Sequence, residues 1–173
     1  VRGRRRFPVF PPEQVGNLYI GPLLKTPGGT PISTVDLREP DFQKFPRFRE
    51  ALESAREAVL EPGDAIYIPV LWWHGVDSHD PQNLLVNYWW NDAAPAHHKP
   101  ILALIHTVAL MSELPADERE VWRRFFDVFA FRAEGEPGAH LPSDVRDVVG
   151  ELSTSDPDQV LAVVAERVRT RRG

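Results

Sequence analysis

The hydrophobic and polar positions divide the chain into two parts with different periodicity. Up to about residue 92, short apolar runs are separated by turn-forming segments rich in proline and glycine, which is typical of short β-strands. Beyond that point apolar residues recur at intervals of three and four, the spacing of amphipathic helices. We therefore predict a β part over residues 1–92 and a helical segment over residues 93–173.

Within the β part, "RRRFPVF" predicts a strand that ends at residues 11–12, two prolines without an amide hydrogen for the ladder. A helical turn is predicted at residues 12–15. "DFQKFPRFREALESA" predicts a short helix through Phe48, Leu52 and Ala55.

A hairpin is predicted where "REAVL" and "AIYIP" flank a Glu-Pro-Gly-Asp turn at residues 61–64. Further strands are predicted near residues 75–78 and in "NLLVNYWW". Several short strands separated by turns indicate a sandwich or jelly roll, so the fold class is mainly β with added α.

The helical segment carries two apolar stripes and one capping signal. Asp156 precedes Pro157, and Gln159 can close a capping box, so a last helix is predicted from about Pro157 to Thr170. The second stripe is wide and aromatic, which favours core or a dimer interface over a cofactor site. The stripes are Ile101, Leu104, Ile105 and Val108, then Trp122, Phe125, Phe126 and Phe129.

Composition narrows the chemistry. The 173 residues are 42% hydrophobic and 26% charged, which suits one folded domain or a domain with a helical appendage. Because cysteine is absent, disulfides, thiolate metal sites and cysteine nucleophiles are excluded. A metal would have to be held by imidazole and carboxylate groups.

Charge and hydropathy bear on partners and location. A net charge of -5 argues against a nucleic-acid surface, although residues 2–6 and 169–172 form local basic clusters. No apolar run approaches the ~20 residues of a membrane span and no signal peptide is recognisable, so we expect a cytoplasmic protein that does not insert into membranes. The chain starts at Val1, inside a predicted strand, so we expect further sequence upstream.

One segment carries candidate metal chemistry. In "GDAIYIPVLWWHGV" the spacing of Gly63, Pro69 and His74 matches the second cupin motif, with Leu71 at a usual glycine position. Two tryptophans before His74 would form apolar walls that keep bulk water from a metal.

Four segments in order resemble the JmjC-type, cupin-like oxygenases: "GRRRFPVFPPEQVGNLYIGPL", "PDFQKFPRF", "LEPGDAIYIPVLWWHGVDS" and "LLVNYWW". They are most similar to the asparaginyl hydroxylase that inhibits hypoxia-inducible factor and to its bacterial relatives. The resemblance covers residues 1 to about 90 and implies a double-stranded β-helix. The helical segment resembles that enzyme's dimerisation helices in general character, which implies a homodimer.

In that family Fe(II) is held by a His-x-Asp pair and a distant histidine, leaving positions open for 2-oxoglutarate and oxygen. The resemblance places His74 on the distant histidine, and the pair upstream of Val1. Arg5 takes the position of the basic residue that binds the far carboxylate of 2-oxoglutarate, a role that guanidinium can fill. Asn87 aligns with an asparagine near iron and cosubstrate. The resemblance makes Tyr67, Trp73 and Trp89 candidates for lining the pocket.

Each of these residues also has a plainer interpretation. A histidine between aromatic residues is more often a packed core residue, and a basic run is more often a solvated strand edge or a nucleic-acid patch. Strand alternation requires only Arg5, of the three arginines at residues 4–6, to face inward. Asn87 can instead satisfy backbone groups. His97 and His98 lie in a proline-flanked linker and receive no role.

The leading functional prediction is an Fe(II)- and 2-oxoglutarate-dependent hydroxylase. Its expected substrate is a protein or peptide side chain, or a small molecule, and the sequence does not identify which. The alternative is a non-catalytic, cupin-like binding or scaffold protein. A cupin isomerase or sugar-binding protein would need further histidines on the early strands, and "RRRFPVF" has none.

Overall fold

A four-stranded antiparallel sheet organises the first of the two units, Val1–His98 and Lys99–Gly173, into which the chain divides. The computed structural model describes residues 2–24, 26, 30–90, 100–146, 149, 162 and 165–166. Strand β1 pairs with β2 on one side and with β3 and β4 on the other. The strands are β1 Arg5–Phe10, β2 Arg56–Leu60, β3 Trp73–His74 and β4 Asp77–Ser78. The predicted first strand is confirmed.

Pro8 lies within the central strand, where proline is normally unfavourable. Its carbonyl accepts a hydrogen bond from the amide of Gly75, which lies between β3 and β4. In a strand the amide and carbonyl of one residue point to the same side, so the missing amide of Pro8 faces this interruption. Pro8 therefore cannot return a hydrogen bond to Gly75, and the ladder is interrupted between β3 and β4.

The buried cluster around Phe10 lies on one face of the sheet, against the helix α1, Phe48–Glu53, while Phe7 is buried on the opposite face. Phe48 and Ala51, one helical turn apart, are fully buried, and the Phe48 ring packs on Phe10 at a centroid distance of 6.1 Å. Burying a side chain of this size contributes about 1.5–3 kcal/mol. The helix is confirmed, but its buried face runs through Ala51, whereas Leu52 is largely exposed.

Two turns follow the predicted chemistry. Pro12–Gly16 forms the predicted helical turn, as a 3-10 helix. In the turn at residues 61–64 the Asp64 amide donates to the Glu61 carbonyl at 3.0 Å, and Gly63 adopts φ +99°. Proline second and a positive-φ glycine third define a type II turn.

Two predicted strands are not formed as ladders. Residues 65–69 follow the turn without pairing back onto β2, and residues 85–90 form no ladder within the described part of the chain. Within "NLLVNYWW", Leu84 alone pairs among the described residues, in an isolated bridge with Arg2. A strand requires neighbours that supply its hydrogen bonds. The predictions for "AIYIP" and most of "NLLVNYWW" are therefore wrong for this structure.

Within the described part of the second unit, two α-helices have defined bounds, α2 Pro100–Met111 and α3 Ala116–Phe125. A π-helical turn over Phe126–Ala130 extends α3. Arg119 of α3 donates to the Leu114 carbonyl after α2, at 3.0 Å. Of the predicted last helix, residues 162, 165 and 166 are described and helical, and the rest lies outside the described residues. No described helix is long and apolar enough to cross a membrane.

Candidate functional site

His74 ends the short strand β3, directly opposite Val9 of β1. Directly opposed residues of antiparallel strands share a face, so the His74 side chain projects from the Val9 face. The imidazole is exposed, and its Nδ1 lies 3.4 Å from the Trp72 carbonyl oxygen. With Nδ1 directed at a carbonyl, Nε2 is the nitrogen that remains for a ligand.

Arg5 lies on the same face of the sheet as His74. Arg5 and Val9 are four residues apart on β1, an even number, which corresponds to about 14 Å along a strand. The guanidinium is half-buried, and its Nε donates to Asn83 Oδ1 at 3.3 Å. Among the described residues no carboxylate forms an ion pair with Arg5. Its charge can therefore meet an external carboxylate.

A close backbone approach fixes the loop that carries Asn83. Gly3 adopts φ +77°, and a Cβ there would come within 2.5 Å of the Gln82 carbonyl oxygen. Only glycine tolerates both the conformation and the contact. This approach places the Asn83 amide beside the start of β1, where it holds Arg5.

Trp73 lies on the other face of the sheet. It is opposite Phe10 in the ladder and packs against the buried cluster that contains Phe10 and Phe48. Successive strand residues point to opposite faces, so Trp73 and His74 are separated by the sheet. Trp73 therefore contributes to the core, and its side chain does not share the His74 face.

Asn87, Tyr67 and Trp89 lie in segments without regular structure. All three are exposed, and the Trp89 side chain is 83% accessible. Tyr67 stacks on Trp90 at a centroid distance of 5.7 Å, which ties residues 64–69 to the last described segment of the unit. The structure brings His74 and Arg5 to one face. No hydrogen bond, ion pair or ring contact among the described residues joins Asn87, Tyr67 or Trp89 to either of them.

An ion-pair network occupies the Trp73 face. Arg6 binds Glu57 at 2.7 Å and Asp77 at 3.2 Å, and Arg38 binds Asp77 at 2.9 Å. The hydrogen bond from Arg38, with a further one from Arg6, lowers the pKa of Asp77 below 3.8. The hydrogen bond from Arg6 lowers the pKa of Glu57. Arg6 therefore serves a structural network, while Arg5 faces the other way.

A cavity of about 260 Å³ lies beside this network. Arg6, Pro8 and Phe10, which share the core face of β1, line it together with residues of α1 and of the start of β2. Its remaining lining residues are Leu37, Leu52, Ala55, Arg56 and Glu57.

The described residues supply one candidate metal ligand on the His74 face. No three histidine, aspartate or glutamate side chains come together as a metal-binding group in the described part of the chain. His74 itself fits a ligand, because its exposed imidazole has one nitrogen near a carbonyl and the other available. An iron site with two histidines and a carboxylate needs two further groups. The described residues do not complete such a site by themselves.

Two residues near the site were not identified from sequence. Asn83 binds Arg5, and Arg56 lies over the Trp72 ring at 5.7 Å. Their local sequences, "DPQNLL" and "SAREAV", contain no motif that marks them. Both depend on pairing between distant segments, which local patterns do not specify.

Comparison with known proteins places these features in context. "HSPB1-associated protein 1" of Homo sapiens is 36% identical over 89 residues, which are 51% of this chain and 18% of that protein. "Lysine-specific demethylase JMJ31" of Arabidopsis thaliana is 36% identical over 90 residues, 52% of this chain and 16% of that protein. "tRNA wybutosine-synthesizing protein 5" of Gallus gallus is 28% identical over 139 residues, 72% of this chain and 41% of that protein. The chain thus matches less than half the length of each of these relatives.

A family model described as "Cupin-like domain" matches residues 1–95, more than half of the chain. The matched part contains the antiparallel sheet, Arg5 and His74. The resemblance to JmjC-type proteins is confirmed by relatives that include a demethylase. The chain belongs to the cupin-like domain family.

Proposed function

We propose that this chain forms part of an Fe(II)- and 2-oxoglutarate-dependent oxygenase that hydroxylates a protein or peptide side chain. The observation that carries the proposal is that His74 and Arg5 project from the same face of one sheet, in a member of the cupin-like family. A candidate metal ligand and a candidate carboxylate binder are thereby directed to the same side.

Within this proposal the residues have distinct tasks. His74 binds iron through Nε2, and the Trp72 carbonyl orients its ring through Nδ1. Arg5, held by Asn83, binds the far carboxylate of 2-oxoglutarate. Iron with 2-oxoglutarate supplies the oxidising power for hydroxylation, and the protein orders the reactants. A His-x-Asp pair outside the described residues completes the ligand set.

The proposed architecture follows from the same family. Residues 1–92 form the C-terminal part of a double-stranded β-helix, and the sheet around β1 is one portion of it. Asn87 then belongs near iron and cosubstrate, with Tyr67 and Trp89 at the pocket wall. Residues 93–173 provide a homodimer interface.

A second candidate function is a non-catalytic, cupin-like binding protein. It is favoured by the incomplete ligand set among the described residues. One human relative is named for association with another protein. Under this hypothesis the same face binds a protein partner without oxidising it.

Anaerobic calorimetry with Mn(II) as an inert substitute for Fe(II), in the presence of 2-oxoglutarate, tests the proposal on this chain and on the product of the complete gene. We expect tight binding to the complete product. His74→Ala should weaken metal binding more than about 100-fold, since losing a ligand exceeds the loss of an outer partner.

His79→Ala is the matched control, because His79 is another exposed histidine of the same unit. It should bind metal as the unmodified protein does. If the complete product binds neither metal nor 2-oxoglutarate, the oxygenase proposal fails and the binding-protein hypothesis takes its place. Equal loss in both variants would show that His74 has no special role.

A further inference from the structure

Arg56 shares a face with His74 through the register of the sheet. Val9 of β1 is opposite Arg56 of β2 on one side and opposite His74 of β3 on the other. Directly opposed residues of antiparallel strands share a face, so the three side chains form a row across the sheet. Neighbouring strands lie about 4.8 Å apart, which puts the outer two backbone positions about 10 Å from each other.

The guanidinium of Arg56 contacts Trp72, which lies two residues before His74. It lies over the Trp72 ring at 5.7 Å from the centroid, within the range of a cation–π contact. The carbonyl oxygen of Trp72 is the atom that contacts His74 Nδ1. A guanidinium stacked on a ring face still has its N–H donors available around its edge.

Arg56 has no anionic partner in the part of the chain that the structure describes. None of the seven ion pairs there includes it. The adjacent carboxylates Glu57 and Asp77 project from the opposite face, where Arg6 and Arg38 bind them. On the His74 face, the charge of Arg56 is therefore not neutralised by an ion pair among the described residues.

We propose that Arg56, stacked on Trp72, binds a carboxylate of the substrate and selects acidic peptides for the site at His74. This inference rests on the proposed function for the position of that site, but the peptide contact itself requires no metal. A guanidinium can donate two parallel hydrogen bonds to one carboxylate, and the opposite charges strengthen both bonds. The occupant is therefore an aspartate or glutamate side chain next to the residue presented to His74.

The test uses the full 173-residue chain, labelled with ¹⁵N on arginine, and follows the Nε–Hε resonances. The titrants are a capped peptide with two glutamates and the same peptide with two glutamines. We expect the Arg56 resonance, assigned by its absence in Arg56→Gln, to move with the glutamate peptide alone. Arg56→Gln should bind that peptide about tenfold more weakly, the loss of one charge-assisted hydrogen bond.

Arg49 provides a matched control, because it is an exposed arginine of the same unit that also stacks on a ring, Phe42, at 4.1 Å. Arg49→Gln should leave peptide affinity unchanged. Equal responses of Arg49 and Arg56, or no response of Arg56, would overturn the proposal. A larger response to a short single-stranded oligonucleotide would overturn it in favour of phosphate binding.

The two proposals fail separately. Peptide binding at Arg56 without metal binding would support the carboxylate contact and contradict the oxygenase proposal. Metal binding that depends on His74, without any response at Arg56, would support the oxygenase proposal and contradict the carboxylate contact.

Discussion

At the scale of single residues, the turn before His74 contains a strained position. The Trp72 amide donates to the Pro69 carbonyl at 3.2 Å, and Leu71 adopts φ +65° as the third residue of this turn. A type II turn requires a positive φ there and favours glycine. The leucine side chain is 77% exposed and recovers little by packing. The departure from the cupin motif therefore has a conformational cost.

Leu71→Gly should raise the free energy of unfolding by about 0.5–1 kcal/mol. Glycine relieves the left-handed strain, and part of this gain is offset because glycine makes the unfolded chain more flexible. Urea denaturation of the two proteins measures the difference.

Val70→Gly is the control for this prediction. Val70 is the preceding turn residue, is 76% exposed and lacks a positive φ. Val70→Gly should lower the free energy of unfolding, because glycine makes the unfolded chain more flexible without relieving strain in the folded chain. If both variants are destabilised alike, Leu71 is not strained.

At the scale of elements, the strands next to β1 are joined by charge as well as by hydrogen bonds. Asp77 of β4 pairs with Arg6 of β1 and with Arg38 from the segment before α1, and Arg6 also binds Glu57 of β2. Arg6 thus links both neighbours of the central strand. The hydrogen bonds from Arg38 and Arg6 lower the pKa of Asp77.

Asp77→Asn should reduce the free energy of unfolding near neutral pH by up to about 1 kcal/mol. A carboxyl group whose pKa is lowered by folding stabilises the native state at pH values above its ordinary pKa of 3.8. That contribution is lost as pH falls through the lowered pKa. The stability gap between the two proteins should therefore stay constant above about pH 5 and narrow as the pH falls through 3.8 toward the lowered pKa, as measured by urea denaturation at a series of pH values.

Glu39→Gln is the control, because it removes an exposed carboxylate that forms no ion pair among the described residues. It should leave the free energy of unfolding nearly unchanged at every pH. A gap for Asp77→Asn that stays constant with pH would mean that the ion pairs contribute nothing measurable.

At the scale of the whole molecule, the helical unit leaves a large aromatic surface accessible. Trp122, Phe125 and Phe129 form a continuous stripe, with ring centroids 5.4 Å and 6.0 Å apart, and each is about half exposed. No residue of α2 or α3 is buried. Contiguous exposed aromatic residues are typical of interaction surfaces.

Phe125→Ser should weaken self-association at least about tenfold, because Phe125 is the middle of the stripe and central aromatic residues dominate interface energy. Sedimentation velocity over a concentration series measures this. Phe131→Ser, at a 73% exposed phenylalanine outside the stripe, should have little effect. Unchanged association in both variants would contradict a dimer through this surface.

Local chemistry determined several features that can be predicted from sequence alone. The first strand ends before two prolines, the Pro62–Gly63 turn is type II, and α3 follows its amphipathic periodicity. The cupin-like family and the motif that ends in His74 also follow from sequence order. These features depend on neighbours within a few residues, or on a pattern shared with other chains.

Only the tertiary structure decided which distant segments meet. It left "AIYIP" and residues 85–90 without ladders, placed Trp73 in the core, and aligned Arg56, Val9 and His74 across three strands. The physical reason is register: shifting a strand by one residue moves every side chain to the other face. Local propensity contains no information on that shift, because it is set by pairing between positions up to about eighty residues apart.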